Sequence, residues 1–273
     1  MSLPIQEAGA PSSGLMRGLA VQANVVGALL MRELHTRYGR ENVGYLWMVL
    51  EPLSLAVAVS LLHAGQRIGQ WGGGDVRPVP FAICGYCVFI IFRQIVSRAE
   101  GALEANTPLL YHRMVTVFDI LFSRLLLEGA GTGSTLAILL GFSAALGIAD
   151  VPARPLAMLA GAMLMMWFSF AISMLVCSWT HENRLAQRLV HPIIYILMPL
   201  SGAFYRIGWL PQPYKGWMSW FPMAQIFELV RYGEFHSAND TYVNLPYIVG
   251  WCMALTYAGL VAIKVVRRHV QLR

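Results

Sequence analysis

One carboxylate stands inside an otherwise apolar stretch, where it could bind a polar group. Glu51 follows the run GYLWMVL and precedes Pro52. A charged side chain in the middle of a membrane helix costs about 2.5–3.5 kcal/mol on insertion scales, so it usually faces a polar partner or cavity. We expect Glu51 to line a polar pathway or to form an internal ion pair with Arg93 or Arg124. A lipid-facing position is the third alternative.

Two other motifs resemble ligand sites but are better explained by helix packing. Cys84 and Cys87 have the spacing of a metal or redox pair, yet no second pair or histidine cluster completes a site. The glycine-rich run 129–133 lacks the lysine of a phosphate-binding loop, and small residues of this kind let helices approach closely. We therefore predict that this chain holds no metal and no ATP site of its own.

The composition is that of an integral membrane protein. Of 273 residues, 57% are hydrophobic and only 12% are charged, so polar groups cannot cover the surface of the chain. The net charge of +6 is typical of basic cytoplasmic loops in such proteins and does not indicate an anionic ligand. Membrane lipids are therefore expected partners, and nucleic acid is not.

Six segments are long and apolar enough to cross a bilayer, which predicts an all-α protein with six transmembrane helices. The third span has a helical lead-in from residue 117, in which Arg124 and Glu128 stand four residues apart and could pair on one helix face. The predicted spans are 44–63, 79–97, 117–148, 156–179, 189–205 and 246–264.

The distribution of positive charge orients these spans. An even number of spans places both termini on one side of the membrane. If that side is the cytoplasm, its segments hold fourteen of the 20 Lys and Arg residues, whereas the short outer loops hold only Arg67, Arg77 and Arg154. Because Lys and Arg accumulate in cytoplasmic loops, we predict cytoplasmic termini.

This orientation argues against an intramembrane serine protease. Gly141 and Ser143 loosely resemble the nucleophile motif of such enzymes, and His191 begins another span. Ser143 would lie near the outer membrane surface and His191 near the inner one. A catalytic base must come within about 3 Å of its nucleophile, so we predict no catalytic residues.

The chain is predicted to form a single domain, 15–273, after a flexible tail, 1–14. Two segments of this domain lie outside the six spans. Residues 15–42 combine an apolar arc with charged positions, which favours an amphipathic helix lying on the inner membrane surface. The outer insert, 206–243, combines prolines with tryptophans. Proline interrupts a span and tryptophan favours the membrane–water interface, so short re-entrant or interfacial helices are expected there.

The first span and its approach resemble ABC-2 permeases that export polysaccharides. The ending Glu51-Pro52 is most similar to the capsular-polysaccharide branch, whereas 40–42 departs from the small serine-containing turn of many relatives. The resemblance also covers the connection after span two, with Asn106 and 109–110. The matching residues of the approach and first span are Arg32-Glu33, Arg37-Tyr38, Gly44-Tyr45-Leu46-Trp47 and Glu51-Pro52.

This resemblance implies a transport subunit rather than an enzyme. Two copies would form a channel in the bacterial inner membrane, and two copies of a separate ATPase would bind beneath it and use ATP and Mg²⁺. The substrate would be a lipid-linked capsular polysaccharide, handed on to a periplasmic export protein of the co-polymerase type. An O-antigen or teichoic-acid exporter of the same class is the nearest alternative. An ion-coupled secondary transporter is the unrelated one.

The resemblance also assigns residues to two roles. Aromatic rings offer flat faces to sugars and Arg can pair with acidic groups, although lipid or helix contact is the alternative for each aromatic ring. The connection 98–116 would meet the ATPase, with an ordinary polar loop as the alternative. The expected pathway residues are Tyr45, Trp47, Glu51, Phe89, Arg93 and Tyr195, and the expected coupling residues are Glu100, Glu104, His112 and Arg113.

Overall fold

The computed structural model describes residues 14–38, 44–64, 76–110, 115–181 and 183–270, and these residues contain helices, turns and irregular segments but no strand. The helices are α1 Gly14–Tyr38, α2 Gly44–Ala64, α3 Pro78–Ser97, α4 Ala102–Ala105, α5 Thr107–Leu110, α6 Val117–Ala145, α7 Pro155–Thr180, α8 Arg184–Leu200, α9 Tyr214–Ser219, α10 Pro222–Glu234 and α11 Leu245–Val270.

The all-helical membrane architecture is confirmed. Within the described residues, α3, α6, α7 and Leu245–Val266 of α11 are long and apolar enough to cross a bilayer. Helix α2 contributes a shorter apolar stretch, Val49–Leu62, and α8 has 17 residues with two internal prolines. The count of six spans stays a prediction because, in the part of the chain that the structure describes, the apolar part of α2 and the helix α8 are shorter than a full span.

Helix α3 is the centre of the bundle. It is apolar on all sides, a pattern typical of a helix surrounded by other helices, and nearly every residue from Pro80 to Val96 is buried. It packs against α2, α6 and α7. The four cysteines, two of them on α3, are free and buried, in agreement with the predicted packing role.

The outer insert forms the two short helices α9 and α10, as predicted. Helix α10 is buried along almost its whole length and packs against α7, where Gly161 and Gly233 leave no room for a Cβ atom. Helix α9 instead exposes Trp217, and Trp220 beyond its end is also exposed. Exposed tryptophan is typical of the membrane–water interface.

A buried arginine fixes this insert to the central helix. Arg231 of α10 is only 1% exposed, and its guanidinium donates hydrogen bonds to the carbonyls of Gly202, Ala203 and Tyr205. It also lies over the Phe81 ring of α3, 4.3 Å from the ring centroid. Charge-assisted hydrogen bonds of this kind are stronger than neutral ones, so the turn that precedes the insert is held against α3.

The connection between α6 and α7 is tied to the end of α10. The backbone N–H groups of Ala153 and Arg154 donate to the carbonyls of Glu234 and Gly233, at 3.1 and 2.7 Å. In the same connection, Asp150 lies 3.4 Å from Arg77, the residue that precedes α3. These contacts join three segments on the predicted outer side.

Helix α1 crosses the first turns of α6 on the predicted cytoplasmic side. Gln22 donates a hydrogen bond to Asp119 at 3.1 Å, and Glu33 lies 3.3 Å from Arg124. The two α1 residues lie about three turns apart, whereas their partners are little more than one turn apart. Such a steep crossing is consistent with the predicted helix along the membrane surface. The last residues of that prediction, 39–42, lie outside the described part of the chain.

Candidate functional site

Three of the predicted pathway residues converge on one tyrosine. Glu51 of α2, Arg93 of α3 and Tyr195 of α8 all lie within electrostatic range of Tyr86. The Arg93 guanidinium lies over the Tyr195 ring, 5.5 Å from its centroid, a cation–π contact. We call Glu51, Tyr86, Arg93 and Tyr195 the pathway cluster. The Glu51 carboxylate, the Arg93 guanidinium and the Tyr195 phenol can hydrogen-bond to hydroxyl groups, and the exposed Tyr195 ring can stack on a flat ligand, whereas Tyr86 is buried.

The Glu51 side chain is exposed on the surface of the single chain. Within the described residues, no cation lies within 4 Å of its carboxylate. Of the two expected partners, Arg93 lies over Tyr195 and Arg124 forms an ion pair with Glu33. The internal ion pair therefore does not form in this structure. Exposure on a single chain fits both a polar pathway and a lipid-facing position, so the pathway role of Glu51 stays a prediction.

The remaining predicted pathway residues occupy different surroundings. Trp47 lies one turn before Glu51 on α2 and is 55% exposed, so the two side chains share a face. Phe89 is fully buried and its ring packs against Phe92, which places it in the helix-packing core. Tyr45 lies in the first turn of α2, but its side chain is outside the described part of the structure.

A stripe of α8 joins the coupling connection to the pathway cluster. Gln187, His191 and Tyr195 follow one another at intervals of four residues and therefore share one face of the helix. Gln187 donates a hydrogen bond to Glu104 at 3.1 Å, and His191 lies 3.4 Å from Glu100. We call Gln187, His191 and Tyr195 the α8 stripe. His112 and Arg113, the other expected coupling residues, lie outside the described residues.

Buried ion pairs hold the coupling connection to α6. Arg98 lies 2.6 Å from Glu128, whose side chain is almost inaccessible, and Arg124 donates a hydrogen bond to the Arg98 carbonyl. Arg124 also pairs with Glu33 of α1. The sequence spacing predicted that Arg124 and Glu128 could pair on one helix face, and this stays a prediction; the ion pairs that the structure describes for them run to other segments. The end of α3 and helix α1 bring opposite charges to them.

Asn106 also holds the coupling connection in place. Its side chain is buried, accepts a hydrogen bond from Arg32 of α1 and donates one to the Ala102 carbonyl. It therefore fixes the turn between α4 and α5 and attaches that turn to α1. Together, Arg98, Glu128 and Asn106 attach the described part of the connection, 98–110, to α1 and α6.

Sequence reasoning did not identify Tyr86, Gln187 or His191 as members of this site. Tyr86 stands seven residues before Arg93 in the same helix, about two turns away, so this interval was a signal that could have placed it on the face of Arg93. The four-residue interval of the α8 stripe was visible as a polar line along an amphipathic helix. Its partners lie about 90 residues earlier in the chain, beyond the range of local patterns.

The chain is similar to known membrane transport proteins over nearly its whole length. Residues 24–235 match the family described as ABC-2 type transporter. The capsule polysaccharide export inner-membrane protein BexB of Haemophilus influenzae is 33% identical over 248 residues, which cover 91% of this chain and 93% of BexB. The protein of the same description from Neisseria meningitidis serogroup B, CtrC, is 34% identical over 253 residues, covering 93% and 95%. The polysialic acid transport protein KpsM of Escherichia coli is 26% identical over 247 residues, covering 89% and 93%.

Proposed function

The chain belongs to the ABC-2 type transporter family, and from this premise we propose that it is the permease subunit of an ABC exporter for capsular polysaccharide in the bacterial inner membrane. The observation that carries the proposal is the one-third identity to two capsule polysaccharide export inner-membrane proteins over more than nine-tenths of each chain. Similarity of this extent concerns the whole protein, including the pathway cluster and the coupling connection. Family membership also favours ATP-driven over ion-coupled transport.

The energy for export would come from a separate ATPase. Two ATPase copies would dock beneath two copies of this chain, and ATP with Mg²⁺ would bind to them. The support within this chain is the braced connection 98–110, which presents Glu104 and Pro108 at the surface while Arg98 and Asn106 anchor it from within. A surface on which a partner exerts force must be fixed firmly to the rest of the protein.

The pathway cluster would line the route of the polymer between the two copies. A sliding polysaccharide needs contacts that are weak and repeated, and exposed Trp47, Glu51 and Tyr195 provide a stacking face, a carboxylate and a phenol. An exposed carboxylate in an apolar helix is costly in lipid. A water-containing pathway between two copies removes that cost. The lipid anchor, the periplasmic co-polymerase-type partner and the cytoplasmic termini complete the proposal.

The experiment is a deletion of the reading frame in its capsulated host, with complementation by the wild-type gene. We expect capsular polymer to disappear from the cell surface and to accumulate inside the cell. Co-purification from the complemented strain should recover an ATPase. Surface loss of O-antigen or teichoic acid instead of capsule would contradict the substrate. Export by the purified chain in vesicles with an ion gradient and no ATPase would contradict the class of transporter.

A further inference from the structure

An apolar groove lies between three helices at the predicted outer side of the bundle. It encloses about 540 Å³ between the last turns of α2, the first turns of α3 and the last turns of α6. Its walls are aliphatic and aromatic, with Val57 and Leu61 on one side, Ile83 at the centre, and Leu139 and Phe142 opposite. Since α3 and α6 are long and apolar enough to cross a bilayer, the groove lies between membrane-spanning helices.

The hydroxyls in the groove are already satisfied. Ser60 donates its hydrogen bond to the Ala56 carbonyl at 2.7 Å, and Ser143 donates to the Leu140 carbonyl at 3.0 Å. A water molecule is retained in a buried space only where two to four polar partners converge on it. These side chains offer little to such a water, so the groove suits an apolar occupant.

A cation stands at the end of the groove. Arg77 lines it immediately before α3, and its side chain is 46% exposed. One guanidinium nitrogen donates to the Gly147 carbonyl at 2.8 Å and another lies 3.4 Å from Asp150. A guanidinium has five N–H donors, and the positive end of the α3 dipole adds to its field. Apolar walls that end at an arginine match a phospholipid, in which glycerol joins the acyl chains to a phosphate.

We propose that this groove binds an acyl chain of a resident phospholipid, with the lipid phosphate against Arg77. Ser60 follows Glu51 by nine residues, which at about 100° per residue puts the two side chains on opposite faces of α2. Val57 and Leu61, the other α2 residues of the groove, are rotated by about 120° and 80° from Glu51, so the groove lies beside and behind α2 and about two to three turns further along it. The occupant belongs to the surrounding bilayer and is distinct from the transported glycolipid, so the site does not depend on the substrate.

Native mass spectrometry of the full-length purified chain tests this site, with phosphatidylglycerol as the probe. The wild type should retain phosphatidylglycerol, and Arg77→Gln should lower retention about tenfold, the loss expected for a charge-assisted hydrogen bond. Asp150→Asn should raise retention, because it removes the competing carboxylate. Lys215→Gln, which changes an outer cation away from the groove, is the matched control and should leave retention unchanged.

Two further probes separate the parts of the ligand. Diacylglycerol, which lacks the phosphate, should bind more weakly than phosphatidylglycerol and equally to wild type and Arg77→Gln. Inorganic phosphate, which lacks the chain, should not displace phosphatidylglycerol. Val57→Trp fills the groove without touching Arg77 and should reduce retention of both lipids. Equal phosphatidylglycerol retention by wild type, Arg77→Gln and Val57→Trp would overturn the proposal.

A cross-linking control addresses the competing occupant, a second copy of the chain. Phe142→Cys places a thiol on the groove wall. If the groove faces lipid, this variant should remain uncross-linked under oxidising conditions in membranes. A disulfide between two copies at this position would show that protein covers the groove and would overturn the lipid site.

Discussion

At the scale of single residues, Glu51 is an acidic side chain whose position on an apolar helix still needs an explanation. Other acidic side chains on the predicted cytoplasmic side have partners, such as Glu128 with Arg98 and Glu33 with Arg124. Glu51 instead stands exposed on an apolar helix, beside Trp47. A helix that only met lipid would not keep such a residue, because neutral replacements insert more easily.

We therefore expect Glu51→Gln to lower capsule export at least fivefold while the protein still inserts and still binds its ATPase. The amide keeps the volume but loses the charge that, on the proposed function, would face the polymer. Surface polysaccharide and membrane protein content are measured in the same cells. Ser54→Ala, an exposed neighbour one turn further on, is the control. Wild-type export by Glu51→Gln would remove the charge of Glu51 from the transport pathway.

Glu234 is a second residue whose charge matters, in this case to stability. It is only 4% exposed, and one of its carboxylate oxygens has no hydrogen-bond partner within the described residues. Burial and the charge of Asp150 raise the pKa of Glu234 from its ordinary value of 4.5 to about 7. Arg77 and His236 line the same small cavity. The folded protein therefore holds a proton near pH 6 that the unfolded chain has lost.

It follows that the free energy of unfolding falls as the pH rises from about 4.5 to 7, by at most about 3 kcal/mol. Above about pH 7, the contribution of Glu234 to the free energy of unfolding is fully lost. We expect the apparent Tm of the purified protein in detergent to be lower at pH 8 than at pH 5.5. Glu234→Gln, which is neutral at both values, should reduce this difference. An unchanged difference in the variant would show that other groups cause the pH dependence.

At the scale of elements, α8 is the helix that joins the two halves of the candidate site. Gln187 and His191 contact Glu104 and Glu100, and Tyr195 lies under Arg93 one turn after His191. Pro192 interrupts the helix between these contacts, because proline has no N–H to donate to the preceding turn. The side-chain contacts of the α8 stripe lie on both sides of this position.

His191→Ala should therefore uncouple ATP hydrolysis from transport. We expect the purified complex to keep most of its ATPase rate while export falls at least threefold, since motion of the coupling connection no longer reaches Tyr195. His191→Gln, which can still meet Glu100, should recover part of the export. Arg188→Gln, on an exposed face of the same helix, is the control. An equal loss of ATPase and export in His191→Ala would indicate a binding defect instead.

Close packing of α3 against the turn before the insert depends on a glycine. A Cβ atom on Gly85 would collide with the Ala203 carbonyl, whose backbone cannot move freely because Arg231 holds it. We expect Gly85→Ala to destabilise the protein by about 1–3 kcal/mol, the usual range for overpacking. Gly133→Ala on α6, where an added Cβ meets nothing within 4 Å, is the matched control. Thermal unfolding of both variants measures the difference, and equal Tm values would contradict the predicted clash.

The helices that could be predicted from the sequence are those with a local signal. Long apolar runs predicted α3, α6, α7 and α11, and alternating proline and tryptophan predicted the short helices of the insert. Phe89 shows the limit of this approach: on a helix that is apolar all round, composition cannot tell a pathway face from a packing face. The contacts of Gln187 and His191 depend on segments far away in the chain, so only the folded structure shows them.

At the scale of the whole molecule, the orientation of the protein in the membrane is the main property that the distribution of charge predicts. The distribution of Lys and Arg puts the coupling connection in the cytoplasm and α9 outside. The structure places these two features at opposite ends of α3, because Arg98 follows its last residue and Phe81 in its first turns meets the insert. A single labelling experiment therefore tests both ends.

We expect Trp217→Cys to react with a membrane-impermeant maleimide on cells with intact inner membranes and a permeabilised outer membrane. Glu104→Cys should react only after the inner membrane is also opened. The background should be low because the four native cysteines are buried. Reaction of Glu104→Cys, but not Trp217→Cys, before that step would reverse the orientation of the protein.

The hydrogen bonds from Arg231 to the turn at 202–205 have a consequence for chimeric exporters. The guanidinium bonds to backbone carbonyls and packs on Phe81, so the outer insert and the first turns of α3 form one unit that is split in the sequence by more than a hundred residues. A graft of the insert alone from a relative would separate the arginine from the surface that receives it. An exchange intended to alter the exit of the exporter should transplant both pieces together.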